Sequence, residues 1–131
     1  MDKAARLYQG AMETAQNSTQ RAYARLLLAR TLMKEGRVTS GREQYKTLLQ
    51  LSPNVHDEYA VPFSFYAAGR LLEERVATTE ILNTLQTSLT TSSWLSPTAS
   101  YMLDGFAETL AEASSEDILR NRVLDSQKAV Q

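Results

Sequence analysis

The side chains best placed to do chemistry in this 131-residue chain are two arginines set one repeat apart. Shifting the sequence against itself by 40 residues lays Arg30 on Arg70, Ala29 on Gly69, Leu32 on Leu72, Gly41 on Ile81, Tyr45 on Leu85 and Leu49 on Leu89. Lys34 follows Arg30 by one helical turn. Guanidinium and ammonium groups arranged this way can hold a carboxylate or phosphate through charge-assisted, forked hydrogen bonds. The competing reading is solvated charge, or an ion pair from Arg70 to Glu73 or Glu74, and most exposed pairs of that kind contribute little. Tyr23, Phe63 and Tyr66 add rings that either anchor a bound peptide or fill a helical core.

Signatures of catalysis are missing. The chain has no cysteine, which removes thiol catalysis, iron–sulfur clusters and cysteine zinc sites. Its one histidine, His56, stands beside Asp57 and Glu58, too close in sequence for the three to converge easily on one metal. There is no G-x-S-x-G, no phosphate-cradling glycine loop and no H-E-x-x-H. Glu73 and Glu74 are neighbours on a helix and do not face one reacting centre. No cofactor or metal is expected, and an enzyme is not.

Charge is unevenly divided. Residues 1–53 carry nine basic and four acidic groups, whereas residues 54–131 carry five and eleven. The two ends suit different partners, or copies of one another head to tail, so a homo-oligomer is a possible state. Asp104, Glu108 and Glu112 make an acidic row at i, i+4, i+8, either a docking face or a solvated helix side. Arg21, Arg25, Arg30, Arg37 and Arg42 spread around two helices with little aromatic interleaving, which argues against nucleic acid.

These groups need a scaffold, and the pattern is helical throughout. With 43% apolar and 22% charged residues, 3 Pro and 5 Gly, the chain is globular and large enough for one domain, residues 1–131. Ala4, Leu7, Tyr8, Ala11, Met12 and Ala15 share one helical face and predict a helix over about 3–15. After the cap region Asn17-Ser18-Thr19, the apolar residues between 22 and 35 are too widely spread for one stripe, so this helix is expected to be buried on more than one side. Gly36 ends it. A third helix starts near Thr39 or Ser40 with the face Gly41, Tyr45, Leu48, Leu49, and Ser52-Pro53-Asn54 closes it. Pro62 opens a fourth that runs to about Glu74, and Thr78 or Thr79 a fifth carrying Ile81, Leu82, Leu85 and Leu89. Ser96-Pro97 starts a sixth, with Leu103, Phe106, Ala107, Leu110 and Ala111 inward, and Ser114-x-x-Asp117 a seventh. No secretory leader pattern follows Met1-Asp2-Lys3. The uncharged stretch 81–103 holds ten Ser or Thr and Pro97, the wrong composition for lipid, so no membrane contact is expected.

Residues 22–54 resemble a tetratricopeptide repeat. The resemblance rests on Leu28-Ala29 at the leucine-small pair, Leu32 in the next turn, Gly36 at the interhelical turn, Gly41 at the small contact residue, Tyr45 at the aromatic, and Leu51-Ser52-Pro53-Asn54 at the repeat end. It implies an all-α, short solenoid of about seven antiparallel helices. Residues 1–16 would be the orphan second helix of a pair, 20–53 the best-matching repeat, 60–90 a degenerate repeat without the turn glycine, and 96–130 a C-terminal helix pair. Helix pairs of this kind stack because none can bury both faces alone. The resemblance further implies a concave surface lined by Tyr23, Leu26, Arg30, Met33, Lys34, Phe63, Tyr66 and Arg70, with Glu73 beside them.

The expected function is non-catalytic binding of a protein or peptide segment bearing an anionic group. The alternative is a sensory or assembly domain of a larger membrane-bound signalling protein, since such segments are also similar to regions upstream of some bacterial sensor histidine kinases.

Overall fold

A computed structural model describes residues 2–76, 79–84, 96–109 and 111, and they are mostly helical. Four helices come first: α1 (Lys3–Glu13), α2 (Ser18–Lys34), α3 (Val38–Leu49) and α4 (Phe63–Glu73). Two further helical segments follow, α5 (79–84) and α6 (97–109). Among the described residues there is no strand, only one isolated bridge between His56 and Pro62. The fold class is all-α. The helix expected after Ser114 lies outside the described residues, as do Leu85, Leu89 and Leu110.

Local chemistry accounts for the helix ends. Asn17 Oδ1 accepts the Gln20 N–H at 2.8 Å, and the Gln20 side chain accepts the Gln16 N–H at 3.0 Å, so α2 starts from a reciprocal cap. It stops at Gly36, whose φ of +80° is one that side chains oppose. There the Gly36 N–H bonds to the Met33 carbonyl and the Arg37 N–H to that of Leu32, a pair that satisfies two end carbonyls of the helix. The same pair closes α4, from Arg75 to Leu72 and from Val76 to Leu71, with Arg75 at φ +55° in glycine's place. The turn thus recurs although its glycine does not. At α6, Ser96 Oγ accepts the Ala99 N–H at 3.2 Å, as a cap ahead of Pro97 should.

Consecutive helices pack on one another from α1 to α4, and α2 also meets α4. Helix α2 feeds two separate apolar clusters from opposite sides. Ala22, Leu26 and Ala29 join Tyr45, Leu48, Leu49, Phe63, Phe65 and Leu71, together with Ile81 of α5 and Ala99 and Leu103 of α6. Ala24, Leu28 and Leu32 face Ala5 and Met12 of α1. Residues two apart on a helix point roughly opposite ways, which is why no single stripe was visible in α2.

At Ala29 and Gly41, α2 and α3 lie too close for a further side-chain carbon. A Cβ on Gly41 would meet Met33 Sδ at 2.6 Å and the Ala29 carbonyl oxygen at 3.3 Å. The face Gly41, Tyr45, Leu48, Leu49 is buried as its spacing predicts.

Three faces differ from expectation; on α5 Ile81 is buried, but Leu82, expected on the same seam, is 44% exposed. Among the described residues helix α1 packs mainly on α2, so it buries the narrow stripe Ala5, Tyr8, Met12 and leaves Leu7 64% exposed and Ala11 exposed. Helix α6 turns Ala99, Met102, Leu103 and Phe106 inward, which rolls Ala107 and Ala111 outward. The Phe106 and Phe65 rings meet edge to face with centroids 6.2 Å apart, in keeping with that roll.

Candidate functional site

A cavity of about 480 Å³ opens between α2, α4 and α6. Helix α2 supplies Leu26, Arg30, Met33 and Lys34; α4 supplies Phe65, Tyr66, Gly69, Arg70 and Glu73; Tyr45 of α3 and Met102 of α6 complete the wall. Six of the eight residues expected on this surface are thereby brought together: Leu26, Arg30, Met33, Lys34, Tyr66 and Arg70.

The other two go elsewhere. Phe63 is 1% exposed and does not border the cavity, because it opens α4 from beneath, among the main apolar cluster. Tyr23, 53% exposed, borders a second cavity of about 680 Å³ between α1 and α2, with Tyr8, Ala11 and Leu27. The edge of one ring meets the face of the other at 6.2 Å, so Phe63 positions Tyr23 rather than a ligand.

The cations are unequal. Arg70 is held by Glu73 at 3.3 Å and by Glu74 at 3.6 Å, and Glu74 also accepts Arg42 Nε at 2.9 Å. Arg70 therefore has two carboxylates beside it, one exposed and one shared with Arg42. Arg30 interacts electrostatically with the Tyr45 phenol, a neutral partner. Among the described residues neither Arg30 nor Lys34 forms an ion pair, and both are exposed. Burial raises the Tyr45 phenol above its ordinary range, and the Arg30 and Arg70 charges oppose that rise.

Tyr66 is tied to a structured loop. Asp57 Oδ1 accepts the N–H groups of Tyr59 and Val61 at 2.9 and 3.0 Å, and Asp57 Oδ2 accepts the Tyr66 hydroxyl at 2.5 Å. Burial, then the hydrogen bond and charge of Asp57, push the Tyr66 phenol up to about 12. Asp57 is thus the residue that holds segment 57–61 closed and steadies one wall of the cavity. From the sequence, Asp57 is considered only as a metal ligand beside His56; the Asp57 to Val61 interval, suited to a side chain capping its own loop, is the signal for this role.

Tyr45 and Met102 were the other omissions. The sequence places Tyr45 only in packing, and Met102 stands four residues before Phe106, on the inward side of α6. Among the described residues no group of three His, Cys, Asp or Glu could hold a metal ion, and no helix is long and apolar enough to cross a membrane. Among the described residues, the cavity presents two cations without an ion pair, Arg30 and Lys34, beside aromatic and thioether walls. Comparison with protein families, curated proteins and solved structures finds no match to the chain.

Proposed function

We propose that this chain is a short tetratricopeptide-like stack of helix pairs that binds a protein or peptide segment without catalysis. The partner's apolar side chains meet Leu26, Met33, Tyr66 and Met102, and its anionic group is taken by Arg30 and Lys34. The close approach of Ala29 and Gly41 supports the repeat reading, as does the recurrence of the α2 closing turn after α4. The single observation that carries the binding reading is the inequality of the cations: among the described residues Arg70 is ion-paired to Glu73 and Glu74, whereas Arg30 and Lys34 form no ion pair and line the same cavity. A second charge near an apolar wall favours a ligand that offers both kinds of surface.

The test is fluorescence polarisation with dye-labelled peptides pairing aromatic with acidic residues, against controls in which lysine replaces the acids. The acidic series binds, and added salt weakens it. Arg30→Ala with Lys34→Ala lowers affinity at least about tenfold, the equivalent of about 1.4 kcal/mol, while Arg70→Ala does less. Equal binding of both peptide series, or unchanged affinity in the double variant, overturns the reading.

A further inference from the structure

Two exposed stripes on opposite halves of the chain match in spacing and oppose in charge. On α2, Leu27, Arg30 and Lys34 follow at i, i+3, i+7, and Tyr23 precedes them by one turn, so the four form one ridge. Tyr23 and Leu27 border the α1–α2 cavity, while Arg30 and Lys34 border the cavity between α2 and α4. The ridge passes from apolar to cationic within seven residues, about 10 Å of helix.

On α6, Tyr101, Asp104 and Glu108 stand at the same i, i+3, i+7 interval. Ala99, Met102, Leu103 and Phe106 take the inward side, which leaves Tyr101 81% exposed and both acids exposed. Tyr101 has the highest fractional exposure among the large exposed hydrophobics described. Gly105, between the acids, has open space over its Cα, so another helix can come close there.

We infer that a second copy of this chain occupies the α2 ridge, with its α6 laid along it. Tyr101 of that copy enters the α1–α2 cavity beside Leu27 and Tyr23, Asp104 meets Arg30, and Glu108 meets Lys34. The equal intervals require the two helices to run in the same direction. The charge halves favour the same encounter: described residues 2–53 carry nine basic and four acidic groups, described residues beyond 53 two and seven. Ridge and stripe are different surfaces, so the contact is heterologous and association continues head to tail instead of closing as a dimer. The inference rests on the proposed reading of Arg30 and Lys34 as anion-binding groups.

Analytical ultracentrifugation of the whole chain tests it. At low salt the weight-average mass rises above that of the monomer as concentration increases, and high salt returns it to the monomer. Lys34→Glu alone and Glu108→Lys alone are each monomeric, and a chain carrying both reversals associates again. That recovery cannot come from misfolding, and both positions are exposed. Monomer at every concentration in low salt, association indifferent to either single reversal, or no recovery in the double reversal overturns the inference. If the chain stays monomeric while acidic peptides still bind through Arg30 and Lys34, the self-association fails and the proposed function stands. Loss of both results removes the two together.

Discussion

Gly41→Ala measures how closely α2 and α3 meet, and its effect can be worked from the geometry. The new methyl would lie 2.6 Å from Met33 Sδ, 2.9 Å from Met33 Cγ and 3.3 Å from the Ala29 carbonyl oxygen. Non-bonded heavy atoms settle at about 3.5 to 4 Å, so the thioether must move by about 1 Å. Met33 is half-buried and borders the α2–α4 cavity, which gives it somewhere to go. Two effects then oppose each other. Replacing glycine inside a helix gains about 1 kcal/mol of helix propensity. Forcing an extra carbon into a packed contact costs about 1 to 3 kcal/mol. With the middle of that range, Gly41→Ala destabilises the chain by about 1 kcal/mol. Truncating Met33 to alanine removes the two closest atoms, and in that background Gly41→Ala becomes stabilising, by up to about 1 kcal/mol. The cycle therefore carries a coupling of about 2 kcal/mol. Urea titrations of the four chains, followed by far-ultraviolet circular dichroism, read it directly. A Gly41→Ala effect of the same sign and size in both backgrounds would show that the interhelical contact does not set the residue at position 41.

Two further predictions concern the loop that braces the cavity. Because the folded Tyr66 phenol titrates near 12 rather than its ordinary 10, the folded chain holds that proton more tightly than the unfolded one. Its contribution to stability is complete below pH 10 and is lost as the pH rises toward 12. The stability difference between the native chain and Tyr66→Phe should shrink across that interval; a difference that stays constant rejects the assignment. Asp57→Ala strips the acceptor from the Tyr59 and Val61 N–H groups and from the Tyr66 hydroxyl, a loss of about 2 to 3 kcal/mol in urea denaturation. Asp57→Asn keeps one carbonyl acceptor and should cost about half as much. Equal losses from the two substitutions would mean that Asp57 acts by charge alone.

Much of the helical plan was legible because it depends on local spacing. The face of α3, the cap at Asn17, the glycine stop at Gly36 and the Ser96 cap each follow from a few adjacent residues. What resisted reading depends on how many neighbours a helix has. Helix α1 carries apolar residues enough for a broad face, yet among the described residues it packs mainly on α2, so Leu7 and Ala11 remain outside. The turn after α4 was hidden for a different reason: Arg75 accepts a backbone conformation that costs a side chain about 1 to 2 kcal/mol, and the flanking hydrogen bonds hold it there.

The candidate site shows the same division between near and far. Arg30 and Arg70 occupy matching places in the self-comparison, and on that ground they looked equivalent. Their downstream neighbours already set them apart: Glu73 and Glu74 follow Arg70 at i+3 and i+4, whereas Met33 and Lys34 follow Arg30 at the same steps. One arginine therefore finds its counterions on its own helix, and the other gains a second positive charge. The structure adds what spacing could not, the reach of Arg42 across 32 residues to Glu74, which anchors that glutamate against Arg70. Recognition of an anion should consequently sit on the α2 side of the cavity, with α4 supplying rigid wall. A repeat that keeps the position of a charge need not keep its availability, and the availability is decided by the residues one turn away.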